Sequence, residues 1–369
     1  MRVLLLADIQ SEHTEKWALG LAANGIEVGL FSFNKASYPW YKNIINITLV
    51  YEAEIKLDAD NIINKLSYFK FLKLLKTAIK KFTPDVLHAH YATSYGLIGA
   101  LSGFHPFVIP AWGTDVMRFP QKNFINKFIL QYNLKQADSI CATSNTIKDY
   151  LVHYTNQFVN VIPFGVNIDD FCKKEVDTLF DKNAFVVGCI KSLEKIYNID
   201  VLIKAFASLK IRYPSSVLKL VIIGVGSQEF FLKKMVSDLS LKDDVLFTGR
   251  IPFSEVSNYF NMLDVLVNIS DYESFGVSVI EAMACEKPVI ATNTGGLKEI
   301  IENSDFGSLV EIGNVEQTSR EIEKYMIDEN LKHQVGKVAR EKVIAKYNWT
   351  NNVEQMINVY RLLIKNKKT

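Results

Sequence analysis

Short apolar runs alternate with longer amphipathic segments along the first half of the chain. The first run, residues 3–7, is followed by a helical pattern at 16–24, which Gly25 ends. Continuous apolar runs are typical of strands that are buried on both faces, and helices between them indicate parallel pairing. The same pattern predicts further strands in this half at residues 28–32, 86–89, 107–109 and 139–142.

The alternation begins again after residues 161–167, a segment that contains Pro163 and Gly165 and is typical of a hinge. Two open α/β sheets in tandem are therefore predicted, each with its ligand site at the carboxyl ends of the strands. A length of 369 residues also favours two domains, at roughly 100–200 residues each. The predicted elements of the second half are strands at 185–190, 218–223, 245–247, 265–269 and 288–291, helices at 200–211 and 230–240, and a last amphipathic helix at 353–364.

The most informative segment runs from residue 265 to residue 296. A predicted strand leads into the loop 270–276, and a helix begins at Val277. The free N–H groups and the dipole at a helix N-terminus bind anions, so a diphosphate fits there. Glu281, the only charged residue in that helix, is costly to bury unless it is hydrogen-bonded, and ribose hydroxyls are suitable partners. Glu273 can face a sugar from the loop. Alternatively, Glu273 caps the helix and Glu281 pairs with a lysine.

The same segment carries a longer string of characteristic residues. Glu273-Ser274-Phe275-Gly276 precedes Glu281-Ala282-Met283-Ala284, and Lys287-Pro288-Val289-Ile290-Ala291 and Thr294-Gly295-Gly296 follow. The whole string resembles the E-x7-E signature of retaining GT4-type glycosyltransferases (glycosyl transferases group 1). Residues 247–251, residues 161–171 and the region of Trp349 are also similar to the base-proximal loop, the inter-domain linker and the closing helix of that family.

The resemblance implies an α/β fold of the GT-B type, in which two Rossmann-like parallel-sheet domains face a central cleft. It implies an N-terminal acceptor-binding domain of residues 1–165 and a nucleotide-sugar-binding domain of residues 166–349. The C-terminal helix, residues 350–369, is expected to pack back on the first domain.

The resemblance also implies roles for individual residues of the second domain. Glu273 faces the donor sugar, Glu281 holds the ribose, and the backbone N–H groups of Ser274, Phe275, Gly276 and Val277 bind the diphosphate. The other donor-binding residues implied in this way are Gly224 and Gly226 in a loop where the nucleotide approaches the backbone, Gly249, Arg250 and Ile251 beside the base, and Gly295 and Gly296.

The sequence departs from the family pattern where the diphosphate charge is neutralised. The family usually has an arginine and a lysine, five residues apart, after the first strand of the second domain, and those places fall on Ser192 and Tyr197 here. Lys191 and Lys195 lie close to those two positions in the sequence and can supply the charge, because a lysine is a compact point charge suited to phosphate. The alternative is that both are solvated loop lysines.

Strand-end loops of the first domain supply candidate acceptor contacts. His13, His90 and Asp115 each follow a predicted strand, at the rim where ligands are expected. We expect His88 to point into the sheet and His90 to reach the rim, where it contacts substrate or forms a structural hydrogen bond. The family frequently has a histidine before the glycine of the third loop; this chain has Trp112 there.

Composition and charge restrict the cellular setting. The formal net charge is only +2, which gives no reason to expect nucleic-acid binding. No apolar stretch approaches the roughly 20 residues that span a bilayer, and residues 1–8 do not form a signal peptide. The four cysteines lack CxxC spacing and have apolar neighbours, which predicts buried, reduced thiols in a cytoplasmic protein.

One segment suggests peripheral contact with a membrane. Residues 71–82 form a helical pattern with an apolar face. A basic amphipathic helix can lie against anionic lipid on the inner face of the cytoplasmic membrane, although a crossover helix with a solvated lysine face is the alternative. The basic residues opposite the apolar face are Lys70, Lys73, Lys76, Lys80 and Lys81.

Together, these features predict a retaining glycosyltransferase that moves a sugar from a nucleotide-sugar donor to a hydroxyl of a glycan or lipid-linked glycan, in surface polysaccharide biosynthesis. No metal and no other cofactor are expected, and no nucleic acid. The alternatives are a nucleotide-sugar epimerase or phosphorylase on the same plan, or a non-catalytic nucleotide-sugar-binding protein. A dehydrogenase is disfavoured because no GxGxxG follows an early strand.

Overall fold

A computed structural model describes residues 1–53 and 62–367, with the side chains of residues 62–69 outside the description. The chain divides into two compact units. The first comprises Met1–Pro163 together with Thr350–Thr369, and the second comprises Phe164–Trp349. Each unit is built around one parallel sheet, so the mixed α/β architecture predicted from the sequence is confirmed.

The first unit contains a seven-stranded parallel sheet in the order β3-β2-β1-β4-β5-β6-β7. Chain order turns back between β1 and β4, and this reversal is the switch point at which open α/β sheets bind ligands. The strands are β1 Arg2–Leu6, β2 Glu27–Ser32, β3 Ile47–Glu52, β4 Val86–Ala89, β5 Phe107–Ala111, β6 Ser139–Ala142 and β7 Val159–Val161.

Helices of this unit connect successive strands. They are α1 Glu12–Ala23, α2 Ile62–Phe82, α3 Gly96–Ser102, α4 Thr114–Met117, α5 Phe124–Gln136 and α6 Asn145–Leu151, with a π-helical segment at Tyr91–Tyr95 and a 3₁₀ turn at Phe119–Gln121.

Helix α2 shows how the apolar pattern becomes packing. Phe71, Leu75, Ala78 and Phe82 are buried, as the predicted apolar face requires. The lysines on the opposite side of the helix, Lys70, Lys73, Lys76, Lys80 and Lys81, are exposed. The apolar face of α2 is therefore used in the core of the unit.

The second unit contains a six-stranded parallel sheet in the order β10-β9-β8-β11-β12-β13, with its own switch point between β8 and β11. Its strands are β8 Phe185–Ile190, β9 Leu218–Ile223, β10 Val245–Gly249, β11 Val265–Asn268, β12 Val289–Thr292 and β13 Ser308–Val310. Its helices are α7 Ile199–Arg212, α8 Glu229–Asp238, α9 Phe253–Met262, α10 Val277–Ala284, α11 Gly295–Ile300, α12 Val315–Ile327 and α13 Glu329–Lys346, with a 3₁₀ turn at Lys195–Tyr197.

The last helix, α14 Trp349–Lys367, packs on the first unit. Val353, Met356 and Ile357 are buried, and the Tyr360 hydroxyl forms a hydrogen bond with His88 Nδ1. The Asn352 side chain donates to the carbonyl of Pro163 at 2.9 Å. The C-terminal helix therefore completes the core of the N-terminal sheet.

The sequence pattern does not predict three of the strands, β3, β7 and β13. Strand β3 is at a sheet edge and has no fully buried residue, while β7 and β13 have three residues each and are also at edges. Short or half-exposed edge strands lack the continuous apolar run that identifies a central strand. The cysteine prediction also needs a correction: Cys141, Cys189 and Cys285 are buried and free, but Cys172 is only half-buried.

Candidate donor and acceptor sites

The start of the loop after β11 is held by a network of buried polar side chains. The Ser270 hydroxyl donates to the Asn268 side chain at 2.7 Å, and the Thr292 hydroxyl donates to the carbonyl of Ser270. All three residues are buried. Buried hydroxyl and amide groups need such partners, so this network fixes where β11 ends and where the loop begins.

Two glycines pack closely against the backbone of the loop after β11. A Cβ on Gly295, whose φ is +48°, would lie 2.0 Å from the carbonyl oxygen of Glu273, and a Cβ on Gly296 would lie 2.6 Å from Cα of Phe275. The Gly296 N–H also donates to the Glu273 carbonyl at 2.8 Å. Gly295 and Gly296 therefore hold the backbone of the loop in place, and only glycine fits at either position.

Helix α10 begins directly after this loop. Its N-cap is Gly276 at φ +114°, a residue that has no side chain with which to cap the helix. The N-cap position is therefore occupied by Gly276 and not by Glu273. An uncapped helix N-terminus presents backbone N–H groups and a positive dipole end to a ligand, here next to Val277 and at the carboxyl edge of the sheet.

Glu273 instead forms an ion pair with Lys191, and both side chains are largely buried. The Lys191 ammonium also lies 5.0 Å from the centre of the Tyr197 ring, a cation–π distance. Lys191 follows β8 and Glu273 follows β11, and these two strands are neighbours at the switch point. The fold therefore brings together two residues that are far apart in sequence, at the switch point where open α/β sheets bind their ligands.

Lys195 lies elsewhere. It begins the 3₁₀ turn, is exposed, and lines a cavity of about 420 Å³ formed by Glu194, Lys195, Ile199, Asp200, Gln228, Phe231 and Leu232. Of the two candidate lysines, the structure therefore brings Lys191 to Glu273 and places Lys195 beside α7 and α8.

Glu281 is buried within α10, at 7% exposure. It is the only charged residue in a helix that is otherwise almost wholly apolar. The cost of burying a carboxylate is what made Glu281 a candidate on sequence grounds, and the burial is real. Its role as the ribose ligand stays a prediction.

The other glycines of the donor prediction have different surroundings. A Cβ on Gly224 or Gly226 would lie 2.0 or 2.5 Å from a backbone oxygen of the loop after β8, so both are explained by close packing of two loops. Gly249, at φ +71°, has open space beside it. It is followed by exposed Arg250 and half-buried Ile251, and contact of these three residues with a base stays a prediction.

On the first unit, the expectation for His90 needs correction. His90 is not open at the rim: it is 1% exposed, with its Nδ1 3.3 Å from the Thr14 hydroxyl and its ring 4.6 Å from that of Trp112. His88 is also buried, as expected for a side chain that points into the sheet. Burial lowers the pKa of His90 well below its usual value, so this imidazole is neutral.

His13 is less deeply placed and packs edge-on against Trp112, with ring centres 5.5 Å apart. Burial, and then the nearby charge of Lys16, lower the pKa of His13 to about 4. Tyr91, at φ +70° in the π-helical segment, packs on the same indole at 4.9 Å. A neutral aromatic cluster therefore occupies the switch point of the first unit.

Sequence reasoning missed Tyr91 and the π-helical turn that it begins. π-Helical turns occur frequently at functional sites, and a non-glycine residue at positive φ is uncommon. The only sequence signal is the position of Tyr91, directly after the His-Ala-His of a strand end.

Asp115 has a structural role. It is buried, and its carboxylate accepts from the N–H groups of Ala92 at 2.9 Å, Trp112 at 3.1 Å and Gly113 at 2.8 Å. Burial raises the pKa of Asp115, whereas these hydrogen bonds act against that rise. Asp115 therefore ties the loop after β4 to the loop after β5, with its carboxylate oxygens already used by the backbone.

The two parallel-sheet, Rossmann-like units have the GT-B fold. The family model described as Glycosyl transferases group 1 matches residues 170–342, and the model described as Glycosyl transferase 4-like matches residues 2–144. The chain belongs to the GT4-type glycosyltransferases and is a transferase.

Relatives agree with this assignment. The chain is 25% identical over 296 residues to N-acetyl-alpha-D-glucosaminyl L-malate synthase of Bacillus anthracis, which covers 77% of this chain and 76% of that protein. Its fold is similar to that of sucrose-phosphate synthase from Thermosynechococcus elongatus, with a TM-score of 0.80 and 21% identity over 99% of both chains. It is also similar to Anabaena HepE in complex with UDP and glucose, with a TM-score of 0.79 and 18% identity over 97% of this chain and 99% of that one.

Among the residues that the structure describes, no helix is both long and apolar enough to cross a membrane.

Proposed function

We propose that the chain transfers a sugar from a nucleotide-sugar donor to an acceptor hydroxyl with retention of anomeric configuration. The single observation that carries the proposal is the pairing of Lys191 with Glu273 beside the uncapped N-terminus of α10. A donor needs a cation and N–H groups for its diphosphate and a hydrogen-bonding carboxylate for its sugar. The switch point of the second unit offers all three.

The diphosphate binds through the N–H groups of residues 274–277 and through the Lys191 ammonium. Charge grows on this diphosphate as the bond between the anomeric carbon and the phosphate oxygen breaks. Preorganised N–H groups and a fixed cation stabilise that charge more in the transition state than in the ground state, which is what accelerates the reaction. Lys191 can leave Glu273 for the diphosphate, and Glu273 is then available to accept hydrogen bonds from sugar hydroxyls.

The acceptor oxygen forms its new bond to the anomeric carbon on the face from which the diphosphate departs. The acceptor proton passes to the departing phosphate oxygen, so no protein base is needed. Because leaving-group charge is met by Lys191 and by helix N–H groups, the reaction requires no divalent metal. We assign acceptor binding to the neutral aromatic cluster of the first unit, around His13, Tyr91 and Trp112.

Uncharged imidazole and aromatic rings suit a neutral sugar hydroxyl better than an anionic acceptor. A glycan or lipid-linked glycan, as in surface polysaccharide assembly, fits this chemistry. A neutral acceptor also distinguishes the two sites by charge, because the anionic diphosphate of the donor is assigned to Lys191 and the N-terminus of α10.

The test uses a matched pair of lysine variants. The nucleoside diphosphate is first chosen as the one that stabilises the protein most in a thermal-shift panel of UDP, GDP and ADP. Lys191→Ala should then lose roughly 100-fold or more in turnover, the range for removing one stabilising group from a transition state. Lys195→Ala, four residues away, should change turnover less than threefold. Equal losses in the two variants would reject the assignment.

Retention is read separately from the product. Nuclear magnetic resonance of the first product should show the same anomeric configuration as the donor sugar. Inversion would reject the front-face mechanism while leaving the donor site intact. Release of nucleotide without any acceptor, with the sugar epimerised, would replace the transferase by an epimerase.

A further inference from the structure

Helix α5 of the first unit is apolar on two opposite sides. Its inner side is used in the fold: Leu130 and Leu134 are fully buried, and the helix packs against α3 and the π-helical segment. Its outer side exposes Phe124, Phe128 and Ile125, at 82%, 68% and 45%. At about 100° per residue these three side chains span roughly 100° of the helix circumference, so they form one patch.

The inner contacts of α5 are already satisfied, so the outer residues are not needed to hold the helix. The side chain of Asn123 caps its N-terminus by accepting from the N–H of Asn126 at 2.9 Å. The side chain of Asn126 donates to the Phe119 carbonyl at 3.1 Å, and that of Asn133 donates to the Ala92 carbonyl at 2.9 Å. Single exposed apolar residues are ordinary on a protein surface, but two phenylalanines and an isoleucine on one helical face are not.

The charged residues in the sequence around α5 are of one sign. Between Asp115 and Asp138 the sequence has no acidic residue. Four basic residues lie in the same stretch and all are exposed: Arg118, Lys122, Lys127 and Lys135.

We propose that the outer face of α5 is a docking surface for an anionic lipid bilayer, with Phe124, Ile125 and Phe128 inserted at the level of the headgroups. An apolar face that is flanked in the sequence by exposed basic residues is typical of an interfacial helix. The aromatic rings enter the acyl boundary, and the arginine and lysines contact lipid phosphates. A protein partner with an acidic, apolar surface is the competing occupant, and the experiment below separates the two.

This surface differs from the lysine face of α2. The apolar side of α2 is buried in the core, so α2 offers a membrane only charge, whereas α5 offers charge and insertion. Electrostatic binding fades as salt shortens the screening length from about 10 Å at 0.1 M to about 3 Å at 1 M. Insertion of aromatic side chains persists at high salt. The proposal does not depend on the donor chemistry proposed above.

The test is co-sedimentation of the full chain with vesicles of phosphatidylcholine, with and without phosphatidylglycerol. The unmodified protein should bind the phosphatidylglycerol vesicles and keep a measurable part of that binding at 1 M salt. The double change Phe124→Ser with Phe128→Ser should weaken binding roughly 100-fold, about tenfold for each buried phenylalanine. Phe230→Ser, which removes an equally exposed phenylalanine from α8 of the second unit, should leave binding unchanged.

A depth measurement identifies the inserted residue. Phe128→Trp should gain an indole fluorescence that lipids brominated in the acyl chains quench, whereas Phe230→Trp should gain an indole that they do not quench. Thermal melting and nucleotide-induced stabilisation of each variant should match those of the unmodified protein, because substitutions of exposed side chains usually change stability little.

Three results would overturn the proposal. The first is no binding of the unmodified protein to anionic vesicles at low salt. The second is loss of binding with Lys73, Lys76 and Lys80 changed to Glu while the phenylalanine double variant still binds, which would move the contact to α2. The third is self-association in size-exclusion chromatography that the double variant abolishes, without vesicle binding, which would make this face an interface between copies of the chain.

Discussion

The two switch points of this protein use the same topology for opposite chemistry. In the second unit, the loops after β8 and β11 bring together Lys191 and Glu273 beside an uncapped helix. In the first unit, α1 and the loop after β4 bring Thr14 to His90, and the Trp112 ring is tilted against that imidazole with ring centres 4.6 Å apart. One site is charged and glycine-supported, whereas the other is neutral and aromatic.

This difference shows that the position of a site and its chemistry are determined separately. The order of parallel strands decides where a ligand crevice forms. The side chains at the strand ends decide what enters it. A charged crevice suits a nucleoside diphosphate, and a neutral one suits an uncharged hydroxyl acceptor, so a single topology used twice can separate the two substrates of a transferase.

The largest expected effect is on the charged side. Glu273→Gln removes the partner of Lys191 and the carboxylate that we assign to the sugar, so turnover should fall on the order of 100-fold while affinity for the free nucleoside diphosphate is kept. Steady-state kinetics and calorimetry measure the two quantities. Glu286→Gln, which removes a carboxylate paired with Lys173, is the control and should be near neutral. Normal turnover in Glu273→Gln would show that the Glu273 carboxylate does not act on the donor sugar at the second switch point.

Glu281 should affect binding more than turnover. If its buried carboxylate holds the ribose, Glu281→Ala should weaken nucleotide binding by about 1.5–3 kcal/mol, the range for hydrogen bonds to a charged group. Glu281→Gln keeps an acceptor oxygen and should lose less. Calorimetry that gives the same affinity for all three proteins would show that Glu281 has a purely structural role in α10.

The buried, neutral histidines of the first unit should make the stability of the protein depend on pH. Burial lowers the pKa of His88 to about 3, and burial with the charge of Lys16 lowers that of His13 to about 4, from an unfolded value near 6.5. The unfolded chain therefore binds more protons than the folded chain below pH 6.5, so stability is lost as pH falls from about 6.5 towards 4. Thermal melting followed from pH 7.5 to 5 should show this fall.

His13→Gln gives the matched variant for that measurement. Its melting temperature should depend less steeply on pH than that of the unmodified protein between pH 6.5 and 5, whatever its absolute stability. An unchanged slope would mean that His13 titrates normally and that the first switch point is not a neutral environment.

The smallest expected effect is that of metal removal. We expect activity to persist in excess EDTA, because Lys191 and helix N–H groups neutralise the diphosphate. Complete loss that manganese or magnesium restores would contradict the proposed donor site and would leave the aromatic cluster untouched.

Much of the fold follows from local patterns that the sequence displays directly. Central strands such as β8 and β9 are continuous apolar runs because both faces of a parallel sheet are covered, and they were predicted with their observed bounds. The edge strands β3, β7 and β13 were missed because a short or half-exposed strand carries no such run. The string from Glu273 to Gly296 identified the family because its residues are close in sequence and lie in one strand–loop–helix unit.

Other properties were decided only by the tertiary structure, because they depend on residues that are distant in sequence. The sequence alone made Lys191 and Lys195 equivalent candidates, and the neighbouring position of β8 and β11 brings Lys191 to Glu273. The sequence also indicated that Asp115 lies at the rim. In the structure, its carboxylate accepts a hydrogen bond from the backbone of another loop. Helix α5 is apolar on two sides, and periodicity cannot say which side meets the core. Only the packed neighbours of α5 decide that Leu130 faces inward and Phe128 faces outward.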